Sequence, residues 1–210
     1  MNILSILILI TSSVSILSLL LLHLTSPEFK PSWRMISEYA NGKFKILITV
    51  FFIFWGLSTI LTALMISQNL NGNWMYIGIS LVILSGLGAI CGGLFDINHK
   101  LHGMSFALGV PTLPIGALML HSQLQNSSGE YSNLLFYSTH SIWISLVLMG
   151  ISMGLLMSGF KKSGLPMGPG VKPPVKLPKE VIGINGYFNR LLVICYIGWS
   201  MVVAMLFINQ

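Results

Sequence analysis

Phe95-Asp96-Ile97-Asn98-His99-Lys100-Leu101-His102 is a short polar knot between two long apolar runs. It gathers one of five carboxylates, two of five histidines and a lysine. A link this short, between runs near the ~20 residues that cross a hydrocarbon core, reads as a hairpin joining two membrane helices. The rest of the chain repeats the pattern.

Composition admits one class. Hydrophobic residues make up 54% of the 210 residues, charged residues 8%, and mean hydropathy is +0.82. Soluble domains carry about 25% charged residues, so a soluble fold is excluded. The basic pI of about 9.5 then reports charge sorting across a membrane, not nucleic-acid binding. Cys91 and Cys195 lie inside apolar runs without metal-ligand or disulfide spacing, and read as small buried apolar residues.

The apolar runs predict six spans at roughly 3–25, 44–67, 74–95, 103–121, 135–158 and 187–208. The fold class is all-α, a polytopic membrane bundle of six transmembrane helices in a single domain, 1–210. The first run opens on uncharged Met1-Asn2 with no small-x-small cleavage site before Pro27, so it reads as a retained span. Between spans one and two, Trp33, Ile36 and Tyr39 or Ala40 recur at helical spacing, with Ser32 and Gly42 as caps, which predicts a short interfacial helix. Pro111 and Pro114 remove two intrahelical hydrogen bonds from the fourth run, free carbonyls near Ala107 and Val110, and predict a kink. Gly88 with Gly92, and Gly150 with Gly154, are spaced as helix-packing pairs. The 161–186 segment, with Pro166, Pro169, Pro173, Pro174, Pro178 and five lysines, predicts an extended flexible loop.

Numbering the spans in order places all eleven cations on one side, from Lys30 and Arg34 to Lys179 and Arg190. Positively charged loops are kept cytoplasmic. The basic loops are therefore expected inside and both termini outside.

Any site must respect that sorting, because the core is ~30 Å thick. Ser37, Glu38, Asp96, His99, His102 and Arg190 fall at the basic end, with His23 and Glu28; His121 and His140 fall toward the other. A carboxylate beside imidazoles suits a divalent metal, or a histidine held in one tautomer as general base. Asp96, His99 and His102 are thus the candidate metal ligands, and Asp96, His102 and Ser37 the candidate catalytic groups. No His-Glu-x-x-His, cysteine pair or His-x-x-x-His completes a zinc site. The structural alternative has Asp96 capping the fourth span's N-terminus, with His99 and Lys100 solvated. Arg34 and Glu38, four apart, read as an ion pair. Arg190 is a costly charge at a span entrance, read either as snorkelling or as part of a polar network. His140, beside Trp143, reads as an interfacial histidine or a proton-relay group.

Three pieces of sequence carry a family resemblance. Ser26-Pro27 leading to Ile36-Ser37-Glu38 and Gly42 is the first. Gly93-Leu94-Phe95-Asp96 followed by His102 and Ala107 is the second, and Gly186-Tyr187-Phe188-Asn189-Arg190 before Trp199 the third. Together they resemble the six-helix membrane proteins of domain-of-unknown-function family 998, a group distantly similar to DRAM/Frag-type proteins. The resemblance implies an integral membrane protein with no established reaction, and recurring polar positions at Ser37, Glu38, Asp96, His102 and Arg190. Two departures stand out: no proline follows Phe95, and Asn189 occupies a position where an acidic residue is common.

These readings describe a protein of the bacterial cytoplasmic membrane whose partners are lipids, with anionic headgroups at the basic loops and no nucleic acid. The first functional expectation is a non-catalytic or lipid- or small-ligand-interacting bundle, tied together by Ser37, Glu38, Asp96, His99, His102 and Arg190. The alternative is an intramembrane lipid hydrolase using Asp96, His99 and His102; small-solute transport ranks third for want of polar groups at mid-membrane. No cofactor is expected, a divalent metal being the minor alternative.

Overall fold

The structure, a computed structural model, describes every residue except 1, 71, 73, 166–173, 175 and 210. It contains helices α1 (Ile3–Thr25), α2 (Lys45–Asn69), α3 (Met75–Leu94), α4 (His102–Gly109), α5 (Thr112–Asn126), α6 (Ser132–Lys162) and α7 (Asn185–Leu206). No strand occurs among the described residues. With α4 and α5 as the two halves of the fourth, six helical units are long and apolar enough to cross a membrane. α3 is the hub, packed on α2, α4 and α5, while α7 packs on α6, α1 and α2. The Asn2 amide donates to the Ile208 carbonyl at 3.0 Å, so both ends of the chain meet at one end of the bundle.

Close backbone approach explains why α3 is the hub. A Cβ on Gly56 would lie 2.4 Å from the Gly86 carbonyl oxygen, and one on Gly88 would lie 2.3 Å from the Gly109 nitrogen. Lipid tails are as apolar as leucine, so helices in a bilayer associate through such contacts and through buried hydrogen bonds. Ser12 and Ser58 supply one of these between α1 and α2 at 2.6 Å, and Trp199 donates to Thr139 between α7 and α6 at 3.2 Å. Of the expected glycine pairs, Gly88 packs tightly and Gly92 makes ordinary contact with Phe52. Gly150 and Gly154 do not pack: nothing would lie within 4 Å of a Cβ on either, because α6 buries its Ser145, Met149 and Ser152 face instead.

The proline break divides the fourth span into α4 and α5. Pro114 leaves the Val110 carbonyl without its helical donor, and the Tyr196 hydroxyl of α7 takes its place at 2.7 Å. Ser85 donates to the neighbouring Gly109 carbonyl at 2.6 Å. Side chains from two other helices thus hold the break.

The expected short helix between spans one and two is present as a 3-10 helix, Ile36–Asn41, ending at Gly42, with Ile36 and Tyr39 1% exposed. The three-residue recurrence of Trp33, Ile36 and Tyr39 matches the 3-10 repeat, whose side chains eclipse every third position. Two other expectations need correction. The 161–186 segment is not uniformly a loop. α6 runs to Lys162, and Val181 is buried against Trp33, Leu156 and Phe160 because it offers them an apolar partner. Pro166, Pro169, Lys172 and Pro173 lie outside the described residues. Cys91 and Cys195 are free and half-buried, each on a helix side only partly covered by neighbours.

Candidate functional site

The polar residues of the basic end are arranged by the first turn of α7. Gly186 comes so close to the 31–34 backbone that a Cβ would sit 2.4 Å from the Pro31 carbonyl oxygen, and its amide donates to the Ser32 carbonyl at 2.9 Å. Three residues on, Asn189 Oδ1 accepts the Ile36 amide at 2.8 Å, satisfying an orphan donor at the start of the 3-10 turn. Asparagine at 189 supplies this acceptor without adding a charge.

Arg190 completes the clamp. Its Nε–H donates to His23 Nε2 at 2.6 Å. Nη1 donates to the carbonyls of Arg34 at 2.7 Å, Gly186 at 2.9 Å and Pro31 at 3.3 Å, and Nη2 to the Tyr39 hydroxyl at 3.3 Å. The side chain is 8% exposed, so it does not snorkel. His23 Nδ1 faces the Leu19 carbonyl at 2.6 Å; a carbonyl only accepts, so Nδ1 carries the proton and Nε2 is free to accept from Arg190. One guanidinium therefore joins α1, the 31–39 segment and α7. The planar fork of arginine suits such convergent acceptors, and an ammonium does not.

Glu38 belongs to the same segment but not to Arg190. Oε1 accepts the Met35 amide at 2.8 Å, and Oε2 lies 2.8 Å from Arg34 Nη1, the ion pair expected from the spacing. Burial raises the Glu38 carboxyl above the ordinary glutamate value, outweighing the Met35 amide and the two arginines that pull it down. Arg34 also stacks over Trp33, 4.8 Å from the ring centroid.

Asp96, His99 and His102 stand apart from that network. Asp96 pairs with Lys45 at the start of α2, and its Oδ1 accepts the Asn98 amide at 2.9 Å. The hydrogen bond from Lys45 holds the Asp96 carboxyl below the ordinary aspartate value. Asp96 does not cap α4, because five residues of link separate it from His102; it caps its own turn. His99 is exposed, stacked on Phe95 at 4.7 Å, with Nδ1 accepting the Leu101 amide at 3.2 Å. His102 directs Nδ1 to the Phe95 carbonyl at 2.8 Å. Among the described residues no three His, Cys, Asp or Glu side chains gather as metal ligands, and Asp96, His99 and His102 are each held by other partners.

Ser37 and His102 do meet across a cavity. It has a volume of about 80 Å³ and lies between α2, α3, α4, α6, α7 and the 3-10 turn. Ser37 and His102 line its basic end and also border an adjoining small pocket with Asp96 and Lys45. Trp55, Gly88 and Val110 line its depth. Lys45 to Trp55 is ten residues of α2, about 15 Å at 1.5 Å per residue, or half of a ~30 Å core. A water needs about 10–15 Å³ of such space. The volume is enough for several waters or part of a hydrocarbon chain, and its walls are mostly apolar. Phe106 lines the cavity while 46% exposed, and α4 packs on α3 with only sparse contact to α6 and α7. The cavity therefore opens sideways beside α4.

Of the predicted residues, the structure thus places Ser37 with His102 and, in the adjoining pocket, Asp96. It places Arg190 and Glu38 in a separate network and leaves His99 outside both. Tyr39, Lys45 and Asn189 are the contributors missed among the site candidates, and His23, placed at the basic end by the sorting of charges, is the partner of Arg190. His121 and His140 pair with each other near the opposite end, ring centroids 5.6 Å apart, with Trp143 donating to His140 at 2.9 Å.

The family model described as Protein of unknown function (DUF998) matches residues 9–206. No curated protein and no solved structure matches the chain.

Proposed function

Because the chain belongs to this family of unknown function, we propose its role from the geometry: a non-catalytic integral membrane protein that holds a membrane-derived amphiphile. The observation that carries this reading is the cavity beside α4, apolar at Trp55 and Val110 and polar at Ser37 and His102. Such pockets bind by apolar walls and orient by a few polar groups. In this reading the basic end is cytoplasmic, the ligand belongs to the inner leaflet, and the Arg190 clamp keeps the 31–39 segment over the cavity mouth. Native mass spectrometry of protein extracted in mild detergent tests it. A lipid adduct is expected on the wild type and is lost in Ala89→Leu, which fills the cavity wall; a wild type without adducts contradicts the reading.

A second reading, hydrolysis of a lipid ester, is favoured by one observation. The Phe95 carbonyl accepts the Nδ1–H of His102, which leaves Nε2 as the acceptor of the neutral imidazole, and Ser37 borders the same cavity without a hydrogen-bond partner among the described residues. An imidazole held in one tautomer beside a hydroxyl is the pair that base-assisted ester hydrolysis uses. Release of fatty acid from an ester lipid by the wild type but not by Ser37→Ala supports this reading in place of the first; equal release by both rejects it.

A further inference from the structure

The polar mouth of the cavity discriminates by charge. No Lys or Arg side chain lines the cavity among the described residues. Lys45, the one Lys or Arg among the described residues that borders the adjoining pocket, is committed to Asp96. Arg190 is turned away to His23, Tyr39 and three carbonyls. An anionic headgroup would therefore meet no free Lys or Arg there while losing its hydration, which is costly. What the mouth does offer is an imidazole and a hydroxyl. With Nδ1 donating to Phe95, His102 Nε2 in the neutral imidazole is an acceptor, and the Ser37 hydroxyl donates or accepts. A hydroxyl group answers both, giving its proton to the imidazole and accepting from the serine.

We infer that the cavity takes a neutral, hydroxyl-bearing single-chain lipid, its hydroxyl between Ser37 and His102 and its chain running along α4 toward Val110. The inference rests on the amphiphile reading above. The chain enters sideways past Phe106, on the side of α4 that makes only sparse contact with α6 and α7, and its far end remains in the bilayer.

Competition among 1-oleoylglycerol, oleate and oleoyl-lysophosphatidylglycerol for the full chain in maltoside micelles, read by native mass spectrometry, tests this. All three share one acyl chain and differ in headgroup. The monoacylglycerol is expected to be preferred, and Ser37→Ala and His102→Asn to weaken its binding by roughly threefold to tenfold each, the worth of one hydrogen bond. Asparagine at 102 retains a donor for the Phe95 carbonyl, and Ser37→Ala removes no contact that holds the fold, so a failure of the first variant to fold leaves the second decisive. Asp96→Asn, which releases Lys45, is expected to raise binding of the anionic compounds. Equal or better binding of the anions by the wild type, or no loss in Ser37→Ala, overturns the neutral-hydroxyl inference and leaves the amphiphile reading standing. Binding of none of the three overturns both.

Discussion

Arg190 Nε lies 2.6 Å from His23 Nε2, linking the last helix to the first across 167 positions of sequence. A buried guanidinium here answers to an imidazole, a phenol and three carbonyls, with no carboxylate in hydrogen-bond contact among the described residues. Arg190→Ala strands those acceptors in a dry environment, at about 1–3 kcal/mol for each one left unpaired. A loss of about 3 kcal/mol or more is expected, seen as a lower unfolding midpoint in detergent. Arg190→Lys is expected to recover only part of it, since a compact ammonium cannot span the same acceptors. An unchanged midpoint in Arg190→Ala contradicts the clamp.

Tyr196→Phe removes the hydroxyl that satisfies the Val110 carbonyl at the proline break. The expected cost is about 1–2 kcal/mol, read from the same unfolding curve. Replacing Pro114 by alanine restores an amide near that carbonyl, so the double variant is expected to be less impaired than Tyr196→Phe alone.

Two glycine positions with the same four-residue spacing are expected to behave oppositely. Gly88→Leu drives a side chain into the Gly109 backbone and is expected to abolish folded yield. Gly154→Leu meets open space and is expected to leave the yield near wild type. Size-exclusion profiles after extraction report both.

The two perturbed carboxyls predict opposite pH effects. Glu38 is raised in the folded state, so the fold favours its protonated form; its contribution to stability is present below pH 4.5 and is lost as pH rises through the raised value. Asp96 is lowered, so its contribution is present above the ordinary value of 3.8 and is lost as pH falls through the depressed one. Glu38→Gln is expected to remove the first dependence and Asp96→Asn the second, measured as unfolding midpoint against pH.

The fold was largely legible because spans announce themselves by length and hydropathy: the first span matches α1 end for end, and Pro111 with Pro114 marked the break that Tyr196 now stitches. The site was less so. Ser37, Asp96, His102 and Arg190 stood out as polar residues among apolar ones, but the partners that define them carry little or no side-chain signal. Arg190 binds three backbone carbonyls, His102 binds another, and Asp96 binds a lysine 51 positions away. Gly186 and Asn189 acquire their roles only when α7 meets the 31–36 backbone. The expected single cluster therefore resolves into a clamp around Arg190 and a cavity mouth at Ser37 and His102.

The occupancy of that cavity is the most direct test of its role. A cryo-EM map of the protein in a lipid nanodisc, with a rigid binder supplying mass, is expected to show elongated density from the Ser37–His102 mouth toward Val110, continuous with the bilayer past Phe106. A map in which α4 closes onto α7 with no density between them contradicts the account.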